Sequence, residues 1–332
     1  MQHIRFLLKV LAFAALPLLP PLLLYCVGDP FKVLRGRDDY FADGLSVNKG
    51  VVTLAAFERG YGRYRYNAFI IGSSLSCYYA VEDWQEHLPA GARGFHFDTS
   101  QQSIRTMRRL VDYLKHSGAD VEHALLVLDP FIFRIDPRHD AMVYLDPPQI
   151  REAWYVPVFH TRMFANFLNM KYMTSYVPWV LTGRKKHYSE VLIFEPQPIV
   201  WDARTNEESI PQWDSLISSN PADFYAMHKI DPLPAHYSDC GPLITPEIEE
   251  DLRAVAATFR RLGTDYKVVV GPNRRLEVLG PVDEALMLEI FGNRFVNLGR
   301  CFSNELRDER NFYDNTHYRR PLARKIMERV YR

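Results

Sequence analysis

The pattern of apolar and polar positions alternates between two periods along most of the chain. Short continuous apolar runs at 68–71, 124–128 and 266–270 are typical of strands that are buried on both faces. Between them, at 104–114 and 248–262, apolar residues recur at spacings of three and four, which indicates helices with one buried face. Strand, helix and strand in this order predict parallel strands joined by right-handed crossovers.

The same pattern continues to the C-terminus. Thr245 is a good N-cap, Pro246 suits the first position of a helix, and Gly263 predicts its end. A helix at 282–291, a strand at 294–298 and a final amphipathic helix complete the pattern. We therefore predict an α/β fold, a flavodoxin-like three-layer sandwich built around a parallel sheet.

The N-terminal segment differs from this domain. Residues 10–27 carry no charge, and a run of this length crosses most of a bilayer as a helix of about 18 to 20 residues, although three prolines would kink it. Arg5 and Lys9 precede the run, which favours an outward-facing chain beyond it. We expect residues 1–28 to be an uncleaved signal anchor, a transmembrane helix, with a cleaved signal peptide as the alternative. The globular domain is then periplasmic or extracellular.

Two further segments complete the predicted domain organisation. Residues 29–65 are polar, aromatic and rich in glycine, and we expect an extended stem that packs onto the main domain at 66–332. Residues of about 131–242 interrupt the alternation of strands and helices and are rich in aromatic residues and proline. They predict an inserted subdomain or lid, whose aromatic rings either form its core or shape a groove for a glycan.

Charge and cysteine content exclude some classes of function. The chain has 332 residues with 40 basic and 40 acidic side chains, so it lacks the basic excess that nucleic acid binding requires. Four cysteines are too few for a disulfide scaffold, and their spacing does not match a zinc site. A bridge between Cys240 and Cys301 is permitted in an oxidising compartment, but the sequence alone does not pair them.

Candidate catalytic side chains lie at the two ends of the main domain. The first apolar run is followed by Ser73, Ser74 and Ser76, and the loops at the carboxyl ends of parallel strands form the ligand crevice of such a sheet. Near the C-terminus, Asp314 and His317 are three residues apart, a spacing at which the carboxylate can orient the imidazole. A serine needs such a base to become a nucleophile, so these groups together predict a split catalytic triad.

Two short motifs resemble those of a known family. Gly72-Ser73-Ser74-Leu75 and the later Asp314-x-x-His317-Tyr318 are similar to the first and last blocks of the SGNH (GDSL-like) hydrolase superfamily. The likeness is closer to its membrane-anchored extracytoplasmic branch, which includes alginate O-acetylation proteins and the D-alanyl transfer protein of teichoic acid synthesis. It covers about 66–128 and 245–331. The resemblance implies that Ser74 is the nucleophile, His317 the base and Asp314 its partner.

The chain departs from this family where the oxyanion hole is expected. The family usually has a glycine and then an asparagine there, whereas this chain has 97–102 and Leu128-Asp129-Pro130. A carboxylate at Asp129 would repel an oxyanion. The candidates for oxyanion or substrate contacts are Ser73, Ser100, Gln102, Asp129 and Asn273.

The expected function is that of a serine-dependent acyl esterase or O-acyltransferase acting on a cell-surface or exported glycan. This chemistry needs neither a metal nor an organic cofactor. The expected partners are an acyl-ester or glycan substrate, the membrane, and a membrane acyltransferase, with no nucleic acid. The alternative function is that of a catalytically inactive relative that binds a glycan or a membrane partner in an export or modification complex.

Overall fold

A five-stranded parallel sheet forms the centre of the protein. The computed structural model describes residues 2–37, 39–100, 102–136, 138, 140–185, 193–195 and 198–332. The strands of the sheet, given in spatial order, are β2 (Gly94–Thr99), β1 (Ala68–Ser73), β3 (His123–Leu128), β7 (Asp265–Val270) and β9 (Phe295–Asn297). This is the strand order 2-1-3-4-5 of a flavodoxin-like sheet, and all four pairings are parallel. The predicted α/β fold with a parallel sheet is confirmed.

Helices cover both faces of the sheet, and each face has its own apolar core. The helices on one face are α3 (Lys49–Tyr64), α5 (Ile104–His116), α10 (Pro246–Leu262) and α11 (Pro281–Phe291). The helices on the other face are α4 (Val81–Gln85), α12 (Ser303–Arg307) and α13 (Arg320–Val330). Successive strand residues alternate between the two cores, so Phe69 and Ile71 contribute to the first core and Ala68 and Ile70 to the second. Strands buried on both faces therefore need continuous apolar runs.

The N-terminal apolar run forms two helices. They are α1 (Gln2–Ala15) and α2 (Leu19–Gly28), with a 3₁₀ turn at Leu16–Leu18 between them. Among the described residues, no helix has both the length and the apolar character needed to cross a membrane. The expectation of one continuous transmembrane helix at 1–28 is therefore not met. The break falls at Pro17 and Pro20, since proline has no N–H for an intrahelical hydrogen bond.

The predicted stem at 29–65 needs a correction. Its second half is α3, which Asn48 caps by accepting a hydrogen bond from the N–H of Val51. Leu54 and Phe57 of this helix are buried in the sheet core, so the segment is part of the main domain. Gly50 and Gly60 lower helix propensity, which explains why the sequence suggested an extended segment.

The insertion between β3 and β7 contains several small elements. They are α6 (Tyr155–Phe167), α7 (Met170–Thr182), β4 (Val200–Asp202), β5 (Glu207–Ser209), α8 (Pro211–Ser219), α9 (Pro221–Met227) and β6 (Ser238–Asp239). Strands β4 and β5 form an antiparallel hairpin, and β6 pairs with β8 (Glu277–Val278). Helices α6 and α7 share a separate apolar cluster with Tyr25 and Phe31. Many of the aromatic rings of the insertion are therefore core residues.

The four cysteines Cys26, Cys77, Cys240 and Cys301 all have free thiols. The bridge between Cys240 and Cys301 that the sequence permitted is not formed. Instead, the sulfur of Cys240 accepts a hydrogen bond from Arg134 at 3.1 Å.

Candidate active site

Ser74 is the first residue after β1 and begins a 3₁₀ turn at Ser74–Ser76. The strand runs two residues further than its apolar run, because Gly72 and Ser73 still pair with β2. A Cβ atom on Gly72 would lie 2.7 Å from the Cβ of Ser76 and 3.0 Å from the carbonyl oxygen of Val127. The tight turn therefore requires glycine at position 72 for steric reasons, and the turn presents Ser74 at the carboxyl edge of the sheet.

Hydrogen bonds of Ser76 stabilise this turn from below. The Ser76 hydroxyl donates to the carbonyl of Ser73 at 2.8 Å and lies 2.9 Å from Nε2 of the fully buried His96. A hydroxyl has one proton, so Nε2 of His96 must be the donor to Ser76. Burial lowers the pKa of His96 to about 4, which keeps the ring neutral at pH 7. Ser76 is therefore a structural residue of the turn.

The Asp314 and His317 side chains come from a closed loop between Phe312 and Tyr318. These two residues form an antiparallel bridge, and the N–H of Tyr313 donates to the carbonyl of His317 at 2.9 Å. Within the loop, Oδ1 of Asp314 accepts hydrogen bonds from the N–H groups of Thr316 at 2.7 Å and His317 at 2.8 Å. An aspartate that binds the backbone two and three residues ahead stabilises a turn. This turn places the carboxylate beside the imidazole.

The loop and the serine turn meet above the sheet. Nε2 of His317 is 3.0 Å from Oγ of Ser74, and Nδ1 of His317 is 2.8 Å from Oδ2 of Asp314. Both distances are within hydrogen-bonding range, although 243 residues separate Ser74 from His317. Asp314 can only accept while ionised, so Nδ1 carries a proton and Nε2 is free to take the proton of Ser74. The three residues have the geometry of a nucleophile, a base and an orienting carboxylate.

Local hydrogen bonds keep Asp314 ionised. Burial alone would raise the pKa of Asp314, but the hydrogen bond from the His317 ring and those from the backbone N–H groups of His317 and Thr316 outweigh it. The pKa of Asp314 is therefore below its ordinary value. The side chain is 43% exposed, so solvent also favours its charge.

The insertion braces the loop that carries His317. Oδ1 of Asp214, in α8, accepts hydrogen bonds from the hydroxyl of Tyr313 at 2.8 Å and from Nε of Arg319 at 2.7 Å. The hydroxyl of Tyr225, in α9, donates to the carbonyl of Phe312 at 2.9 Å. The sequence gave no signal for these contacts, because each joins residues of the insertion to residues about 85 to 105 positions away.

A cleft of about 240 Å³ opens at Ser74 and His317. One part of its wall is apolar and is formed by Leu75, Pro130, Phe131 and Ile135. The rest is polar and includes Ser73, Asp129, Asn273, Arg275, Glu277, Asn315 and Thr316. Sequence reasoning missed Arg275 and Glu277 of this wall, which lie two and four residues after the predicted site residue Asn273, Glu277 being the first residue of β8.

The predicted oxyanion and substrate residues separate into two groups. Ser73, Asp129 and Asn273 line the cleft, whereas Ser100 and Gln102 are not among its described lining residues. Gln102 is 2% exposed, and Gln101 lies outside the described residues. The expected contact from the 100–102 loop therefore has no support.

Asn273 lines the cleft, but its amide group stabilises its own loop. The side-chain nitrogen donates to the carbonyl of Glu277 at 2.7 Å, and the side-chain oxygen accepts from the N–H of Glu277 at 3.3 Å. Both ends of the amide are thus used within the turn.

Cys77 belongs to a buried cluster of charged groups next to the serine turn. Ligand atoms of Cys77, Asp98 and Glu208 lie within 4.8 Å of one another, which is close enough to surround a metal ion. However, Nζ of Lys49 lies 2.6 Å from Glu208 and 3.4 Å from Asp98. The ammonium group thus already supplies the positive charge that the carboxylates require. Burial raises the pKa of Cys77 well above its usual value, which argues against a thiolate nucleophile there.

Neither a scan against models of protein families nor a search of curated proteins finds a match to this chain. The resemblance to SGNH hydrolases thus stands on the two motifs alone.

Proposed function

We propose that the protein is a serine-dependent acyl esterase or O-acyltransferase of the SGNH type. The observation that carries this proposal is the continuous hydrogen-bonded arrangement of Ser74, His317 and Asp314, of which Ser74 and His317 line a cleft. A histidine on the solvated surface is not expected to contact both a carboxylate with one ring nitrogen and a serine at the end of a buried strand with the other. The arrangement matches the requirements of nucleophilic catalysis.

In the first half of the reaction, Oγ of Ser74 attacks the acyl carbonyl while Nε2 of His317 takes its proton. A bond forms between Oγ and the carbonyl carbon, and the tetrahedral intermediate then expels the alcohol. His317 returns the proton to the departing alkoxide. Asp314 holds the ring in the required tautomer and stabilises its positive charge.

In the second half, an acceptor hydroxyl attacks the acyl-serine, and His317 again serves as base and then as acid. Water as acceptor makes the protein an esterase, and a sugar hydroxyl makes it an O-acyltransferase. The apolar wall of Leu75, Phe131 and Ile135 suits the acyl group, and the polar wall suits a hydroxylated substrate such as a cell-surface or exported glycan.

The proposal extends to the location of the protein. We infer that residues 1–28 attach the domain to a membrane, with the cleft on the periplasmic or extracellular side. The uncharged run at 10–27 and the preceding basic residues support this inference. A membrane acyltransferase that delivers acyl groups is the partner that such a placement suits.

Ester turnover tests the proposed activity directly. We expect the wild-type protein to hydrolyse a p-nitrophenyl acyl ester and both Ser74→Ala and His317→Ala to lose most of that activity, by about 10³-fold or more. Because the three residues act as a unit, the double variant should be no worse than either single variant. Ser219→Ala, an exposed serine of α8, is the matched control.

Equal turnover in the wild type and in Ser74→Ala would contradict the enzymatic proposal. It would favour the alternative of a catalytically inactive relative that binds a glycan or a membrane partner. The carboxylate of Asp129 beside the nucleophile is the observation that keeps this alternative in view.

A further inference from the structure

Asp129 is placed next to the proposed nucleophile by the topology of the sheet. Strands β1 and β3 are neighbours, and Gly72 pairs with Val127. Ser74 and Asp129 each lie two residues beyond this pair, so both follow the carboxyl ends of neighbouring strands, and both line the same cleft. The strand order reverses between these two strands, which is where ligands bind in open α/β sheets.

The orientation of the Asp129 carboxyl group leaves one oxygen for the cleft. Oδ1 accepts hydrogen bonds from the N–H groups of Phe131 at 2.6 Å and Ile132 at 3.3 Å. Oδ2 makes no hydrogen bond with the described part of the chain, and Asp129 lines the cleft together with Ser74. Since two donors already point at Oδ1, a proton on this carboxyl group belongs on Oδ2.

No described cation neutralises Asp129. Arg134 is near, but its guanidinium pairs with Glu277 at 3.0 Å, and Glu277 itself disfavours a second negative charge nearby. Arg275 lies at the exposed rim of the same cleft. Asp129 is only 5% exposed. Its charged form is therefore largely shielded from solvent, and Arg134 offsets this burial only in part.

The other titratable groups facing Asp129 do not supply a positive charge either. Tyr79 and Tyr318 lie beneath it with their hydroxyls 2.7 Å apart, and both are buried and neutral. His317 lines the cleft, but it must be neutral to act as base. Burial is the main reason that the pKa of Asp129 is raised to about 6.

We propose that protonated Asp129 donates a hydrogen bond from Oδ2 to the oxyanion that forms when Ser74 attacks the acyl carbonyl. The inference rests on the esterase or acyltransferase function proposed above and assigns one further catalytic residue to it. Asp129 keeps its proton throughout, so the proton transferred in the reaction is still the one that moves from Ser74 through His317 to the departing alcohol. A neutral carboxylic acid in an apolar site is a known way to stabilise an oxyanion.

In this role the effect of Asp129 on the oxyanion depends on its protonation state. An ionised Asp129 repels the oxyanion, whereas a protonated one stabilises it, so the same residue inhibits at high pH and assists at low pH. The acyl-transfer activity is therefore expected to be higher under mildly acidic conditions than near pH 8.

The pH dependence of kcat/KM for p-nitrophenyl acetate tests the inference, with Ser74→Ala as background. We expect the wild-type value to fall about tenfold per pH unit above about pH 6, because only the acid form donates. In Asp129→Asn the amide is a neutral donor at every pH, so the decline should vanish and the variant should exceed the wild type by at least about tenfold near pH 8. Asp129→Ala removes the donor and should lose about 10²-fold near pH 5.5.

Folding is checked by thermal unfolding of each variant. Asp129→Asn keeps an oxygen that accepts from Phe131 and Ile132, so its profile decides the question even where Asp129→Ala does not fold.

The outcomes separate this inference from the function on which it rests. If the wild type is active and the pH profile of kcat/KM for Asp129→Asn is parallel to that of the wild type, only the role of Asp129 is overturned. Wild type with no turnover above Ser74→Ala overturns both the role and the proposed function.

Discussion

In the serine turn at Ser74–Ser76, steric requirements and hydrogen bonds of single residues depend on one another. Gly72 is required because the side chain of Ser76 occupies the space where a Cβ would lie, and Ser76 in turn donates to the strand end at Ser73. The three serines of the motif thus have different surroundings. Of these, Ser74 alone among the described contacts bonds to the His317 ring.

Replacing Asp314 by asparagine tests the orienting role of the carboxylate. The amide cannot hold a protonated Nδ1 in the same way, so the imidazole adopts the wrong tautomer, and kcat should fall by about 10³-fold to 10⁴-fold with the fold intact. Steady-state kinetics with an acyl ester measures the effect. Asp308→Asn, one loop earlier and paired with Arg310, is the control, and an equal loss in both variants would contradict the assignment.

His96 gives the protein a specific sensitivity to acid. Its pKa is depressed to about 4 in the folded state from 6.5, so the unfolded chain binds a proton first as the pH falls. The contribution of neutral His96 to the free energy of unfolding is therefore complete above about pH 6.5. It decreases as the pH falls from about 6.5 to about 4, and the total loss is roughly 3 kcal/mol. Urea unfolding at several pH values should show this loss in the wild type and in the exposed control His116→Gln, but a smaller one in His96→Gln. Identical pH profiles for all three would show that His96 has no such role.

At the scale of elements, the cluster around Lys49 joins three parts of the chain. Lys49 begins α3, Asp98 lies in β2, and Glu208 lies in the β4–β5 hairpin of the insertion. Burial raises the pKa of Glu208 to about 7, even though the lysine opposes this shift. The ammonium group is what makes two buried carboxylates tolerable beside each other.

Lys49→Met should therefore destabilise the protein strongly. Removing one partner leaves uncompensated buried charge, and we expect a loss of about 3 kcal/mol in the free energy of unfolding. Lys325→Met breaks a comparable pair with Glu305, but Lys325 is 53% exposed, so that control should lose less than about 1 kcal/mol. Denaturant unfolding distinguishes the two, and a similar small loss in both would refute the structural role of Lys49.

The elements themselves follow largely from local patterns in the sequence. Thr245 caps α10 by accepting from the N–H of Ile248, and Gly263 ends the helix in the left-handed conformation, as the sequence predicted. Both signals act within one turn of helix, so they can be recognised without tertiary information. Helix α3 was missed because its place depends on packing against β2, which overrides the weak helix propensity of its glycines.

For the site, residue types and spacing predicted which side chains lie together, but not which loops border the cleft. Ser74, Asp314 and His317 were predicted because a nucleophile, a base and an orienting carboxylate have recognisable residue types and spacing. The loop at Ser100 and Gln102 was expected at the cleft, yet Gln102 is buried elsewhere. No local pattern tells which way a loop turns after its strand.

At the scale of the whole molecule, the site depends on the insertion as well as on the sheet. Asp214 binds Tyr313 and Arg319 on either side of the Asp314–His317 turn, so the insertion holds the loop that carries His317. These contacts indicate that the insertion supports the site in addition to covering part of the domain.

Asp214→Ala tests this bracing at a distance from the chemistry. A small displacement of His317 costs much of the rate, and we expect kcat to fall by about tenfold to 10²-fold while the melting temperature changes little. Asp223→Ala, on the neighbouring α9 and bonded only to Asn220 among the described residues, should leave kcat unchanged. An unaltered kcat in Asp214→Ala would mean that the loop holds its shape without the insertion.

The most direct test of the account is covalent labelling with a serine-reactive fluorophosphonate, followed by peptide mapping. The account predicts one adduct on Ser74 of the folded wild-type protein and strongly reduced labelling in His317→Ala. The reason is that His317 activates the hydroxyl through the hydrogen bond of 3.0 Å between Nε2 and Oγ. Absence of an adduct on Ser74, or labelling that His317→Ala leaves unchanged, would contradict it.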